Sequence, residues 1–139
     1  MWKCKQPNTG SYYSWCQSCN SKRFQQNFKN WTSGNSDVDK LIQESQLNAK
    51  RKAEKLEWFE YDRFENIEYI TKGGFGKVYK AIWKDGYIES WDYETNQWKR
   101  CQTYNRLVAL KSLNNSKKIT SEFLNEVILT MIVLNYVSK

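Results

Sequence analysis

The chain has 139 residues, of which 40% are hydrophobic, 16% aromatic and 27% charged, a balance that suits one small globular domain with an appendage. Histidine is absent, which excludes imidazole general bases, imidazole metal ligands and every triad that needs a ring nitrogen. The net charge of +7 is spread, ten basic against six acidic residues in the first sixty and twelve against nine in the rest, so no basic block argues for nucleic acid.

Residues 1 to 35 are polar and aromatic, rich in Asn, Ser and Gln, with no sustained period. They contain Cys4 and the pair Cys16 and Cys19 in "WCQSCN". We expect a loop or a small metal-stapled knuckle here, in an α+β chain. One Cys-x-x-Cys is a tetrahedral zinc half-site, so Cys4, Cys16 and Cys19 are candidate zinc ligands. Cys101 lies far along the chain, and a fourth ligand is missing unless the N-terminus lies upstream. The alternative is a set of thiols in a polar tail. A redox pair is disfavoured, because that chemistry normally sits at the start of a helix after a strand. "MWKCKQPN" lacks the apolar centre of a signal peptide, and no apolar run reaches the roughly 18 residues of a membrane span. The expected location is therefore cytoplasmic, with thiols rather than a disulfide framework.

From Ser36 the composition turns to helix formers. Ser36 and Asp39 have capping-box spacing, and the pattern predicts a connector helix from about Asp37 to about Leu56, within a segment 36 to 57. Its apolar residues are sparse, which implies a largely exposed helix that packs along one narrow stripe. From Trp58 the texture is β-like. Phe64, Ile67, Tyr69 and Ile70 suggest a first strand, Val78 to Trp83 a second, and "LVALKSL" from Leu107 to Leu113 a third. Between the last two, residues 84 to 106 alternate aromatics around Glu94, Thr95 and Asn96, as an inserted hairpin would. A final amphipathic helix is expected from Thr120 or Ser121 to about Leu134.

Three segments in order, "GGFGKVYKA", "VALK" and "EFLNEV", give the chain from about Phe64 to Lys139 its resemblance to the N-terminal lobe of a eukaryotic protein kinase. The wording is closest to the tyrosine-kinase-like serine/threonine group. The resemblance implies a lobe at 58 to 139, a twisted antiparallel sheet plus one helix, whose glycine loop covers the phosphates of ATP. It implies a nucleotide-binding set of Ile70, Gly73, Gly74, Phe75, Gly76, Val78, Ala109, Lys111 and Glu126. Gly73 and Gly76 match the second and third glycines, Phe75 the loop tip, and Val78 with Ala81 the apolar positions against adenine. Thr71 stands where the first glycine is expected. Lys111 matches the lysine that holds the α- and β-phosphates, and Glu126 the helix acid that orients it; Glu122 is the rival, in the first turn of that helix.

His-Arg-Asp, Asp-Phe-Gly and Ala-Pro-Glu motifs do not occur in these 139 residues, so no residue here matches the family's catalytic base or magnesium ligands. The expectation is a fragment of a longer kinase that phosphorylates Ser, Thr or Tyr hydroxyls of a protein substrate, with magnesium bound in the complete enzyme. The alternative is a non-catalytic kinase-like interaction module. A third possibility, zinc-mediated nucleic-acid binding by the first 35 residues, needs a cysteine upstream.

Overall fold

The computed structural model describes residues 15–74, 76–103 and 106–112. The chain divides between Trp58 and Phe59 into two units. Among the described residues the fold is α+β, and no helix is long and apolar enough to cross a membrane.

The first unit corrects the expectation of a loop before residue 36. Helix α1 (Gln17–Asn27) is followed by a 3-10 turn (Phe28–Asn30) and then by α2 (Ser36–Asn48). The α1 sequence is polar throughout, so it carries little amphipathic signal. Yet Asn20 and Phe24, one turn apart on the same face, are both buried together with Cys19. The tail and the connector helix, expected as separate segments, therefore pack on each other. The core they share is small: Phe24, Ile42, Ala49 and Leu56 are buried. Trp15 closes it, its indole Nε1 donating to the carbonyl of Ala49 at 2.9 Å and its ring 6.2 Å from that of Phe24. Lys55 is buried along its stem, donates its ammonium to the carbonyl of Lys52 at 3.1 Å, and lies 5.9 Å from the Trp15 ring centre.

Helix α2 starts and stops differently from its sequence pattern. Asn35, not Ser36, is the N-cap, and its side chain accepts from the amides of Asp37 (2.9 Å) and Val38 (3.2 Å). Asp39 reaches back to the preceding loop, where its carboxylate accepts from the hydroxyls of Thr32 and Ser33 and from the Ser33 amide at 2.7 Å. At the other end the backbone turns extended at Ala49 (ψ 118°), well before Leu56. Propensity alone would carry the helix further. Burial wins instead: a chain that folds back can place Leu56 in the core. Its amide donates to Ser45 Oγ and its carbonyl accepts from Gln46 Nε2, both at 2.9 Å, so the reversal leaves neither group unsatisfied.

The second unit is built on a three-stranded antiparallel sheet in the order β1 (Phe64–Lys72), β2 (Lys77–Trp83), β5 (Leu107–Lys111). β1 is an edge strand with two bulges. Asn66, at φ +53°, lies in the first, and Ile70 is the extra residue of the second. Edge position explains why Tyr69 and Ile70 are more than half exposed despite their strand-like sequence. The stretch 84 to 106 does form an inserted hairpin, β3 (Ile88–Asp92) with β4 (Gln97–Arg100). Trp91 and Trp98 sit opposite each other, edge to face at 4.9 Å, which accounts for the aromatic alternation. At its tip Asp92 accepts from the amides of Glu94 (2.8 Å) and Thr95 (3.4 Å), and Asn96 takes φ +54°.

The neck of this insert is held from several sides. The Trp83 amide donates to the Arg106 carbonyl at 2.7 Å, so the chain leaves and re-enters the sheet at one place. Arg63 grips Asp85 with two hydrogen bonds of 3.0 and 2.8 Å. Arg100 donates to the Gly86 carbonyl at 3.0 Å, and its guanidinium lies over Phe59 (5.2 Å) and Trp83 (5.8 Å). Ile88 and Cys101, at the two ends of this hairpin, are fully buried. Gly86 is irreplaceable in this geometry: its φ is +73°, and a Cβ would fall onto the backbone carbonyl of Cys101.

Two outcomes follow from these contacts. Gly86→Ala should lower the stability of the second unit by about 2 kcal/mol or more, through left-handed strain and a backbone clash. Denaturant unfolding followed by tryptophan fluorescence measures it, and an unchanged midpoint would refute the account. The Asp39 carboxyl is held below its ordinary value of 3.8, first by the Ser33 hydroxyl and next by that of Thr32. Its stabilising effect is therefore complete above that value and is lost as pH falls through the lower, folded one. The difference in thermal midpoint between the wild type and Asp39→Ala should narrow between pH 5 and pH 2; a constant difference would contradict it.

Candidate functional site

The glycine cluster lies in the turn between β1 and β2, where the Gly73 amide donates to the Gly76 carbonyl. The end of β5 is tied beside it: the Ser112 amide donates to the Lys77 carbonyl at 2.8 Å, and Ser112 Oγ accepts from the Lys77 amide at 3.3 Å. These bonds fix the register that sets Lys111 directly opposite Val78. A small cavity of about 30 Å³ results, lined by Gly73, Gly74, Gly76, Lys77, Val78, Lys111 and Ser112. That volume is on the order of one water molecule, so a larger ligand would lie across its mouth.

Strand alternation sorts the remaining candidates. Val78 pairs with Lys111 and Lys80 with Ala109, which places Val78, Ala109 and Lys111 on one face. Ala81 pairs with Val108 on the other face and is 1% exposed. The expectation that Val78 and Ala81 flank one ligand is therefore corrected: three residues apart on a strand, they point to opposite sides. Ala109 takes the place given to Ala81. The same face also holds Lys80, whose ammonium is 3.1 Å from the Glu68 carboxylate, a pair that the apolar reading of this surface missed. Ile70, in its bulge, opposes no residue of β2. Phe75, Glu122, Glu126 and the final helix lie outside the described residues, as do Leu113 and Cys4.

Glycine is not required at 73 or 74 by the turn's own packing. A Cβ on Gly73 would meet the Gly76 carbonyl at 3.5 Å and Val78 at 3.7 Å, ordinary contacts, and one on Gly74 would meet nothing within 4 Å. Both positions leave open space next to backbone. Charge gathers at the same end of the sheet. Lys72 and Lys77 are paired directly across the hairpin, an unfavourable like-charge arrangement, and Lys77 and Lys111 both line the cavity. A bare turn backbone with ammonium groups around it is suited chemically to an anion.

The described cysteines belong to different units. Cys16 is the N-cap residue of α1 and Cys19 lies in its first turn, whereas Cys101 is buried under the hairpin of the second unit, 3.9 Å from Thr103 Oγ1. Among the described residues no group of three His, Cys, Asp or Glu side chains is placed to hold a metal ion. Over residues 17 to 27 the chain is a helix that begins at the cysteine pair rather than a loop; Cys4, the third zinc candidate, lies outside the described residues.

Comparison with protein-family models, with curated proteins and with solved structures gives no match to this chain.

Proposed function

We propose that the glycine turn, Lys111 and the face carrying Val78 and Ala109 form the phosphate-facing part of an ATP site, and that the chain is the nucleotide-binding N-lobe portion of a protein kinase. The observation that carries this reading is the pairing of Val78 with Lys111 beside Gly73 and Gly74, where a Cβ would meet no clash. An ammonium on a half-buried strand, next to a turn with unobstructed backbone, can hold a phosphate oxygen while the turn approaches from above. ATP, when bound, supplies the phosphoryl group; Lys111 and the turn orient it. The acceptor would be a Ser, Thr or Tyr hydroxyl of a protein, brought by a C-lobe.

One observation favours a second reading, a non-catalytic interaction module. Thr71, just past the bulge at Ile70, stays in β1 as the partner of Val78, so strand pairing resumes at the position where the family has its first glycine. The turn is correspondingly short and its cavity small.

Equilibrium binding of Mg-ATP to the 139-residue chain separates them. Saturable binding is expected, weakened about tenfold or more in Lys111→Met, the loss expected for one charge-assisted hydrogen bond. Gly74→Ala should leave the thermal midpoint unchanged or raised, because its Cβ meets nothing, yet weaken nucleotide binding. No saturable binding by the wild type, or equal binding by Lys111→Met, would sink the ATP reading and leave the interaction module.

A further inference from the structure

The Cys-x-x-Cys of the first unit has no part in the nucleotide site, and its placement carries a reading of its own. The carbonyl of Cys16 accepts the Asn20 amide at 2.9 Å, so Cys16 through Asn20 close the first helical turn of α1. Residues three apart in such a turn have Cα atoms about 5 Å apart, from the helical rise and radius. Disulfides span Cα separations of about 4.4–6.8 Å, and side chains at the N-cap and third helical positions are those that meet in capping boxes. The two cysteines also differ in access. Cys16 is half-buried, with its sulfur 3.5 Å from the Ser18 hydroxyl, while Cys19 is buried. No acidic residue occupies the first turn of α1, so its positive end is not offset where a Cys16 thiolate would form.

We propose that Cys16 and Cys19 form a redox-active dithiol whose substrate is a low-molecular-weight disulfide such as glutathione disulfide. The Cys16 thiolate attacks one sulfur of that disulfide. The S–S bond breaks, one thiolate leaves and takes up the proton that Cys16 lost. Cys19, deprotonated in turn, attacks the Cys16 sulfur of the mixed disulfide and displaces the second thiolate, which takes up the Cys19 proton. The chain loses two electrons and two protons, the small disulfide gains them as two thiols, and a Cys16–Cys19 bond remains. Of the helix start after a strand expected of such chemistry from the sequence, the structure supplies the helix start.

The test uses the full chain, equilibrated anaerobically in glutathione buffers of graded thiol-to-disulfide ratio, quenched in acid, alkylated and mapped by peptide mass. A Cys16–Cys19 bridge is expected, the ratio of bridged to dithiol chain rising in proportion to the disulfide concentration over the square of the thiol concentration, and it should persist in Cys4→Ser. Cys19→Ser should stop at one glutathione on Cys16. Cys16→Ser should leave Cys19 at least tenfold slower to react, with circular dichroism confirming that α1 is retained; if α1 is lost, Cys16→Ala supplies the same comparison. A stable mixed disulfide in the wild type, a bridge to Cys4, or stoichiometric zinc that blocks oxidation until chelated would each overturn the proposal.

Discussion

Strand β2 is hydrogen-bonded along both edges, and the second unit is organised around that fact. Because side chains alternate along a strand, its register with β5 decides which residues meet the glycine turn. With Val78 opposite Lys111, the lysine shares a face with Val78 and Ala109 and borders the turn cavity. A slip of one residue in β5 would move Lys111 to the side of Ala81 and bring Val108 to that of Val78. The double tie between Ser112 and Lys77 closes the register at the glycine end, and the bond from Trp83 to Arg106 closes it at the other.

That second closure allows an insert of some length between β2 and β5 without cost to their pairing. Loop entropy grows only slowly with length, so the sheet tolerates the detour provided that its ends are fixed together. Here the neck is over-determined: Arg63 holds Asp85, Gln102 donates to the Asp85 carbonyl at 2.7 Å, and Arg106 to that of Lys84 at 3.2 Å. Gly86 permits the close backbone crossing at Cys101 that brings these groups together. The hairpin beyond is then free to rely on its own Trp91–Trp98 pair and the Asp92 turn.

The first unit solves a different problem. Two short helices with few apolar residues cannot bury much, and the core is completed by groups that a pattern search passes over: an indole at residue 15, the stem of Lys55, and a chain reversal that carries Leu56 back against α2. The arrangement makes the Cys16–Cys19 stretch the first turn of a helix, which sets its two Cα atoms about 5 Å apart. In both units backbone geometry sets which candidate residues lie together, a strand register in one and a helical turn in the other.

Local sequence was sufficient where the pattern is short-range. The strands β1, β2 and β5, the hairpin at 84 to 106 and the existence of α2 could all be read from it, because strand-forming residues, turn residues and helix formers act over a few positions. Only the tertiary structure decided the rest. Helix α1 was hidden because its buried Asn20 and Cys19 are not apolar signals. The end of α2 was misplaced because the burial of Leu56, a contact between residues distant along the chain, overrides helix propensity. Ala81 was set beside Val78 by family likeness, although the strand period separates them, and Ala109 took its place through cross-strand pairing. The sequence by itself determined the residue types at the glycine turn, at Lys111 and at the cysteine pair. Which of them face one another was decided by hydrogen bonds between segments, whose register depends on burial across the whole unit rather than on any one stretch of chain.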